Sequence, residues 1–419
     1  MTNWKEYKLG EIGHIITGKT PSSKNPEQWG NRMPFVTPTD FDTYNKNISS
    51  SIRYLSKEGI IAFQKKVLPV GSVIVTCIGS QMGKVAMNKK ECVTNQQINS
   101  IVPYSEFNSD YIYYVISSMQ DYLRNLATGG STMPIINKSN FEDITIKAPD
   151  LPTQTAIAEI LSFLDDKIEL NNKINQELEN LAQTLFKQWF IDFEFPNENG
   201  EPYKSSGGEM VESELGEIPK GWEVGNLNKI ASLIKKSIKP FENPESIYNH
   251  YSLPEFDSGK MPSKELGETI LSSKYEVLEH SILISKLNPR IPRIWTIINP
   301  GGNSICSTEF QVLKPIQNNA FAFVNCLCSS DFYLKTIQSK VTGTSSSHQR
   351  VNPKDIIDFK MVMPPSSMFV AFNNAVYDTL TLIDNNRKEN TYLTNLRDTL
   401  LPRLISGELE VSELIAAKA

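Results

Sequence analysis

The sequence predicts an α+β fold in which two similar mixed α/β domains alternate with two long helices that pair with each other. A chain of 419 residues is too long for one hydrophobic core. Several motifs recur in the same order about 215 residues later, and each half ends in a long apolar pattern with helical spacing. The expected boundaries are a first domain at 1–150, a first helix at 151–192, a linker at 193–221, a second domain at 222–364, a second helix at 365–410 and a tail at 411–419.

The internal repeat is the strongest of these signals. The recurring features are Trp4–Leu9 with Trp222–Leu227, Thr128–Ser131 with Thr342–Ser345, and Pro152 with Pro365. Between them, both halves contain short apolar runs bounded by turn residues, which are typical of strands, such as Val70–Gly79 and Ser281–Ser285. A duplicated domain of about 145 residues explains this order, and each copy is large enough for its own core.

The two long apolar patterns step by threes and fours, as in a coiled-coil seam. From Pro152 to Phe190 the chain has no further Gly or Pro, and about 40 helical residues would span roughly 60 Å. The residues expected to pair the helices are Leu161, Leu164, Ile168, Leu178 and Leu185 in the first and Leu380, Ile383, Leu393, Leu396 and Leu400 in the second. Two separate amphipathic helices, each lying on its own domain, are the alternative.

Charge and composition narrow the classes of function. The net charge of −5 belongs mostly to residues 151–219, which carry 14 Asp and Glu against 4 Lys and Arg, whereas both mixed blocks are mildly basic. No apolar run is long enough to span a membrane, and the N-terminus lacks the pattern of a secretory signal. Five cysteines without a C-x-x-C pair favour buried thiols in the cytoplasm and predict no metal site.

Three motifs carry a resemblance to a known family. Ile218–Glu223 resembles the start of a target-recognition domain in type I restriction-modification specificity (S) subunits, and Asn395–Leu409 resembles the end of their second conserved helix. Asp150–Ala158 is similar to the start of the first conserved helix, where prolines precede a Gln. Pro364–Phe369 departs from that pattern because it lacks the Gln.

The resemblance implies a protein that recognises DNA sequence and catalyses no reaction. Two target-recognition domains, on an antiparallel pair of helices, would each read one half of an asymmetric bipartite site in double-stranded DNA. Two methyltransferase (M) subunits would dock on the helices, and two restriction (R) subunits, the motor nucleases, could join them. The resemblance implies no cofactor on this chain, with S-adenosylmethionine, ATP and Mg on the partner subunits.

Polar loops that follow the predicted strands are the candidates for DNA contact, because they contain Lys, Arg, amide and hydroxyl groups together with Gly. In the first domain they are Thr17, Gly18, Lys19, Thr20, Ser22, Ser80, Gln81, Lys84, Thr128, Gly129 and Ser131. In the second domain they are Lys286, Asn288, Arg290, Arg293, Thr342, Gly343, Ser345, His348, Gln349 and Arg350. For each loop a solvated turn is the alternative interpretation.

Two other functions stay open at the level of sequence. Gly13–Thr20 matches the phosphate-binding pattern G-x-x-x-x-G-K-[ST], which would suit a nucleotide-hydrolysing enzyme. That pattern needs a helix beginning at its Lys, and here Pro21 and Pro26 follow instead. The second alternative is a coiled-coil adaptor that bridges proteins without touching DNA.

Overall fold

The computed structural model describes residues 4–42, 46–127, 135–341 and 349–411. The chain forms two compact units, of which the first comprises residues 1–167 and 393–419 and the second comprises residues 168–392. Each unit contains one mixed α/β region together with a segment of each of two 40-residue helices.

The mixed region of unit 1 is built from short strands and helices. In chain order they are β1 (Lys5–Lys8), α1 (Leu9–Ile12), β2 (Gly13–Thr17), β3 (Trp29–Gly30), β4 (Met33–Val36), β5 (Asn47–Ile48), β6 (Arg53–Leu55), α2 (Lys57–Ala62), β7 (Val73–Thr76), β8 (Val85–Asn88), β9 (Val93–Thr94), β10 (Ile98–Pro103), α3 (Ser109–Ser118), α4 (Gln120–Ala127), α5 (Lys138–Glu142) and β11 (Thr145–Ala148). The long helix α6 (Leu151–Phe190) follows.

A five-stranded sheet in the order β2-β10-β7-β8-β5 forms the centre of this region. Its strands are short and rich in Val and Ile, which suits a pleated surface buried on both faces. Val73 and Val75 face a core that includes α3, while Ile74, between them, faces a second cluster on the other side. The same region contains a smaller four-stranded sheet in the order β3-β6-β4-β9.

The mixed region of unit 2 follows a short hairpin. In chain order the elements are β12 (Met210–Ser213), β13 (Gly216–Pro219), β14 (Glu223–Asn226), β15 (Ala231–Ile234), β16 (Ser237–Ile238), β17 (Ile247–Tyr251), α7 (Leu253–Gly259), β18 (Ser263–Leu266), β19 (Lys274–Glu276), β20 (Ser281–Ser285), β21 (Ile294–Ile297), β22 (Ser304–Cys306), β23 (Phe310–Pro315), α8 (Phe321–Ser329), α9 (Asp331–Ser339), α10 (Pro353–Ile357) and β24 (Lys360–Met363). The second long helix is α11 (Ser366–Ile405).

The sequence repeat corresponds to a repeat of topology. The sheet β15-β23-β20-β21 of unit 2 has the antiparallel order of β2-β10-β7-β8 in unit 1. The strand at each motif beginning with Trp also pairs with the strand before the long helix, with Lys8 opposite Thr145 in one half and Asn226 opposite Lys360 in the other. The two mixed regions are therefore similar folds, as the recurring motifs predicted.

The long helices pair directly, and in unit 2 they run antiparallel. Asn175 of α6 bonds to Asn386 of α11, and Asn171 bonds to Asn390, so residue numbers rise on one helix as they fall on the other. The predicted α+β class with two similar mixed regions and two long paired helices is confirmed, and the alternative of two unpaired helices is wrong.

The start of α6 shows what the Gln of its motif does. The Gln154 amide Nε2 donates to the Pro149 carbonyl, and its Oε1 accepts from the backbone N–H of Asn108. Asn108 is itself the cap of α3, where its side chain accepts from the N–H of Tyr111. Gln154 therefore fastens the first turn of the long helix to the mixed region of unit 1.

The segment predicted as a linker holds more structure than its Gly, Ser and Asn content indicated. It contains the hairpin β12–β13, and Phe193 and Phe195 are buried in the core of unit 2. The ring of Phe195 stacks on Trp222 with centroids 5.0 Å apart. Two aromatic side chains at alternate positions thus pack the start of the segment into the core of unit 2.

Candidate nucleic-acid interface

In unit 1, the loops predicted to contact DNA leave the central sheet at one end. Strand β10 is antiparallel to both β2 and β7, so Thr17 and Thr76, at their C-terminal ends, lie opposite Asn99 and Ile98. The loops beginning at residues 18 and 77 therefore start side by side. The sequence could place each loop after a strand, but it could not show that the strands share this edge.

A chain of hydrogen bonds ties these loops together. The Thr17 hydroxyl and the Asn99 carboxamide oxygen are 2.6 Å apart, and the Asn99 amide donates to the Ile136 carbonyl at 3.2 Å. The N–H of Ile136 donates to the Cys77 carbonyl at 3.0 Å. The chain after residue 134 thus returns to the same edge. Thr128, Gly129 and Ser131 lie outside the described residues.

The loop after β2 approaches the backbone of a neighbouring turn closely. The N–H of Lys19 donates to the Thr94 carbonyl at 2.9 Å, and a Cβ on Gly18 would clash with the Asn95 carbonyl oxygen. Only glycine allows this approach. The Lys19 side chain is exposed, and the Thr20 hydroxyl bonds to the carboxamide oxygen of Gln96 at 2.6 Å. The loop presents a cation and a hydroxyl at the sheet edge.

The same loop rules out the nucleotide-binding interpretation of Gly13–Thr20. Gly13–Thr17 is strand β2, and the next helical turn is a 3₁₀ turn at Pro26–Gln28. No helix begins at Lys19, so the backbone amides and helix dipole that hold a phosphate are missing from this loop. Nothing in this loop supports the alternative of a phosphate-binding site, as the prolines after it already indicated.

A turn that sequence reasoning missed lies against this loop. Residues 95–97 join β9 to β10 and place three consecutive amide side chains, Asn95, Gln96 and Gln97, at the sheet edge. The Asn95 side chain bonds to Gln97 through its amide and its oxygen, while Gln96 is exposed. Amide side chains can form two hydrogen bonds with adenine, so Gln96 joins the candidate residues. The Asn-Gln-Gln run before a strand was the available signal.

The loop between β7 and β8 is compact. Residues Gly79–Gln81 form a 3₁₀ turn, and the N–H of Gly83 donates to the Thr76 carbonyl at 2.8 Å. Gln81 and Lys84 are half-buried rather than fully presented to solvent. Ser80 takes part in the turn, and nothing is described of its side chain. Ser22, in the first loop, caps a turn by accepting from the N–H of Lys24.

Unit 2 repeats the arrangement with different side chains. The N–H of Lys286 donates to the Glu309 carbonyl, and the N–H of Val351 donates to the Lys286 carbonyl, both at 3.0 Å. In unit 1 the corresponding bonds involve Cys77, with Gln97 and Ile136. The Asn288 N–H also bonds to the Gln349 carbonyl at 2.8 Å, so the two predicted loops meet. Thr342, Gly343, Ser345 and His348 lie outside the described residues.

Two of the predicted arginines are already paired with carboxylates. Arg293 donates two hydrogen bonds to Asp257, at 2.7 and 2.8 Å, and its side chain is 14% exposed. The hydrogen bond to Asp257 raises the pKa of the Arg293 guanidinium. Arg350 forms a similar two-bond pair with Glu309. These acids, distant in sequence, weaken the prediction that either arginine is free to bind a phosphate.

Two other cations near these loops are exposed and form no ion pair within the described ranges. Arg290 is exposed, and no ion pair involves it in the described part of the chain. Lys235 and Lys236 follow β15 as Lys19 follows β2, and they were missed because no Gly marks that loop. Lys236 is paired with Glu276, whereas the exposed Lys235 forms no ion pair within the described ranges.

The predicted pairing residues divide between the cores of the two units. Leu161 is buried in the core of unit 1, with Leu400 packed against it, and Leu380 and Ile383 are buried in the core of unit 2. The remaining positions are Leu164, Ile168 and Leu393, which are buried, and Leu178, Leu185 and Leu396, which are half-buried. In unit 2 the helices also meet through polar side chains, where Asn171 donates to Glu389 and Arg387 donates to Glu179.

The described residues include both potential metal ligands and thiols. Within them, no three His, Cys, Asp or Glu side chains are grouped as metal ligands. All five cysteines are free and buried, and burial raises the pKa of Cys77 to about 11 and that of Cys92 to about 12. Across those ranges, no helix is both long and apolar enough to span a bilayer.

Comparisons with known proteins agree with one another. The family model of the type I restriction modification DNA specificity domain matches residues 1–180. The chain is 30% identical over 432 residues to the type I restriction enzyme MjaIX specificity subunit of Methanocaldococcus jannaschii, with 98% of this chain and 95% of the relative covered. The HindI specificity subunit of Haemophilus influenzae is 24% identical over 481 residues, which cover 98% of this chain and 100% of that one. The solved S subunit of the type I system of M. genitalium matches at a TM-score of 0.59 and 17% identity over 96% of both chains.

Proposed function

This chain belongs to the specificity subunits of type I restriction enzymes, and on that premise we propose that its two mixed regions read the two halves of one asymmetric DNA site. As a specificity subunit it recognises DNA sequence and is a non-catalytic component of its complex. Each mixed region is accordingly called a reading domain below.

The observation that carries the proposal is the shared arrangement of loops at one sheet edge in both reading domains. In unit 1 the edge presents Lys19, Thr20 and Gln96, and in unit 2 it presents Lys235 and Arg290. Cations suit phosphates, and amide or guanidinium groups suit base edges. Because the side chains differ between the two edges, we expect the two half-sites to differ in sequence.

We expect an unread spacer to separate the half-sites. Helix-turn-helix dimers bind half-sites related by about one helical turn, roughly 34 Å, or a multiple of it, and we expect the two reading domains to follow the same geometry. A pair of 40-residue helices is a stiff element that suits such a separation. The spacer length would then be a property of the chain rather than of the DNA.

We also propose that the long helices dock the methyltransferase subunits, two per chain, and that restriction subunits join through them. Three apolar side chains of α6, Leu170, Ile174 and Leu181, are exposed and spaced by four and seven residues, so they share one helix face. Such a stripe suits a partner helix. S-adenosylmethionine would be bound by the methyltransferase, and ATP and Mg by the motor nuclease. The complex would work in the cytoplasm, where five free thiols stay reduced.

The proposal is tested by selecting duplexes from a randomised pool with the full-length chain and its methyltransferase, and by sequencing methylated adenines in host DNA. Both should return one bipartite, asymmetric site. Lys19→Ala and Arg290→Ala should each weaken binding and reduce the salt slope by about 0.9 for each phosphate that is no longer neutralised. Lys173→Ala, which changes an exposed lysine on α6, is the matched control. Failure to enrich any bipartite sequence would overturn the proposal that the two reading domains share one asymmetric site.

A further inference from the structure

A buried lysine fastens the reading domain of unit 1 to the long helix α6. The side chain of Lys46 is 4% exposed, and its ammonium lies 2.6 Å from the Asp110 carboxylate. It donates to the Ser162 hydroxyl of α6 at 2.6 Å and lies 4.7 Å from the centre of the Tyr114 ring. Lysine is seldom buried so completely unless each of its donors has a partner.

The contacts of Lys46 continue into both long helices. The Tyr114 hydroxyl donates to Asp165 of α6 at 2.6 Å, and the other oxygen of Asp165 accepts from Arg397 of α11 at 2.7 Å. The Asp165 side chain is 6% exposed. One connected network therefore joins the reading domain, α6 and α11 within unit 1.

Unit 2 contains a second lysine that approaches the long helices, at an offset in the sequence close to that of the internal repeat. Lys260 lies 214 residues after Lys46 and directly follows α7, with a left-handed φ of 57°. Its side chain is 32% exposed, and its ammonium lies 3.9 Å from Glu179 of α6, which also accepts from Arg387 of α11. Burial and the neighbouring Arg387 lower the pKa of Lys260. A lysine of the domain, an acid of α6 and an arginine of α11 thus recur.

The recurrence is one of chemistry rather than of copied residues. The sequence repeat places α6 of the first half and α11 of the second half at equivalent positions. If the two networks were copies of one ancestral network, the acid would therefore lie on α6 in unit 1 and on α11 in unit 2. In both units the acid lies on α6 and the arginine on α11. The duplication alone therefore does not account for the two networks.

Directional contacts explain what such networks contribute. Apolar side chains tolerate small rotations of one surface over another, whereas hydrogen bonds such as Lys46 to Ser162 and Arg387 to Glu179 weaken when the angle between the groups changes. Lys260 adds an ion pair to the same glutamate at 3.9 Å, which is longer than a hydrogen bond. We propose that Lys46 and Lys260 are positioning residues that fix the orientation of each reading domain on its helices and thereby the spacer length that the chain accepts. This inference rests on the proposed function, because it supposes that both domains read DNA.

The test measures affinity for one bipartite site with its spacer lengthened or shortened in single base pairs. The unaltered chain should prefer one spacer. Lys46→Met should keep the base preference of each half-site. It should reduce the ratio of the affinity for the best spacer to the affinity for neighbouring spacers by about threefold to tenfold. Ser162→Ala removes only the bond to α6 and should act in the same direction, and Lys46→Arg should restore part of the preference.

Two further variants separate the possible outcomes. Lys19→Met, in the loop after β2, should weaken binding to sites of every spacer length equally and leave the ratio of their affinities unchanged. Lys260→Met should also broaden the preference, and its partial exposure makes a folded product the expected result. Absence of any bipartite preference in the unaltered chain would refute the proposed function. If Ser162→Ala and Lys260→Met both fold and both keep a sharp preference for one spacer length, the positioning role is refuted instead.

Discussion

The polar contact between the long helices in unit 2 can be tested by removing its two asparagines singly and together. Asn175 and Asn386 are 6% and 8% exposed, and the Asn386 amide donates to the Asn175 oxygen at 2.9 Å. The substitutions are Asn175→Ala, Asn386→Ala and the double variant. Asn180→Ala, which changes an exposed asparagine of α6, is the control.

The expected size of the effect follows from burial. Each single substitution leaves the other asparagine with an unsatisfied polar group, which costs about 1–3 kcal/mol of unfolding free energy. The double variant loses the same bond only once, so its loss should be smaller than the sum by about 1 kcal/mol. Asn180→Ala should change the unfolding free energy by less than about 0.5 kcal/mol.

Thermal unfolding of the full-length chain measures these differences. A unit of this size shifts its melting temperature by about 2–4 °C per kcal/mol, so each single variant should melt about 2–12 °C lower. Hydrogen exchange in α11 around residue 386 should rise in the same variants. If the effects of Asn175→Ala and Asn386→Ala simply add, the two residues are not coupled and the hydrogen bond between them is not formed.

Three further outcomes are expected. Asp257→Asn should free Arg293 from its ion pair, raise affinity for unrelated duplexes and steepen the salt dependence of that affinity. Fluorescence anisotropy at several salt concentrations measures this dependence, and an unchanged slope would mean that Arg293 does not reach DNA. Gln96→Ala should alter base preference at one position of one half-site, with a loss of about 1–3 kcal/mol for that base, and a duplex selection that returns the original site would exclude Gln96 from base reading. The buried cysteines should stay unreactive towards a thiol reagent at pH 8, because burial raises their pKa values and keeps them protonated; labelling of the native chain as fast as of the unfolded chain would contradict this.

The sequence determined the features that depend on local pattern. The internal repeat, the two long helices and the loops after strands can all be read from spacing, because strand and helix periodicity are properties of neighbouring residues. The motif from Asp150 and the Asn395–Leu409 segment led to the family, and the comparisons agree with that prediction. The phosphate-loop match failed for the same local reason, since a pattern of letters at Gly13–Thr20 did not include the helix that must follow it.

The tertiary structure alone decided which charges are free and which loops meet. Arg293 and Arg350 look alike as candidates in sequence, but Asp257 and Glu309 lie dozens of residues away and neutralise them only after folding. The turn that contains Gln96 lies at the same sheet edge as the candidate loops only because β10 lies between β2 and β7. The burial of Lys46 depends likewise on α3 and α6 closing over it. Electrostatic pairing and burial depend on distances in space, which the order of residues along the chain does not contain.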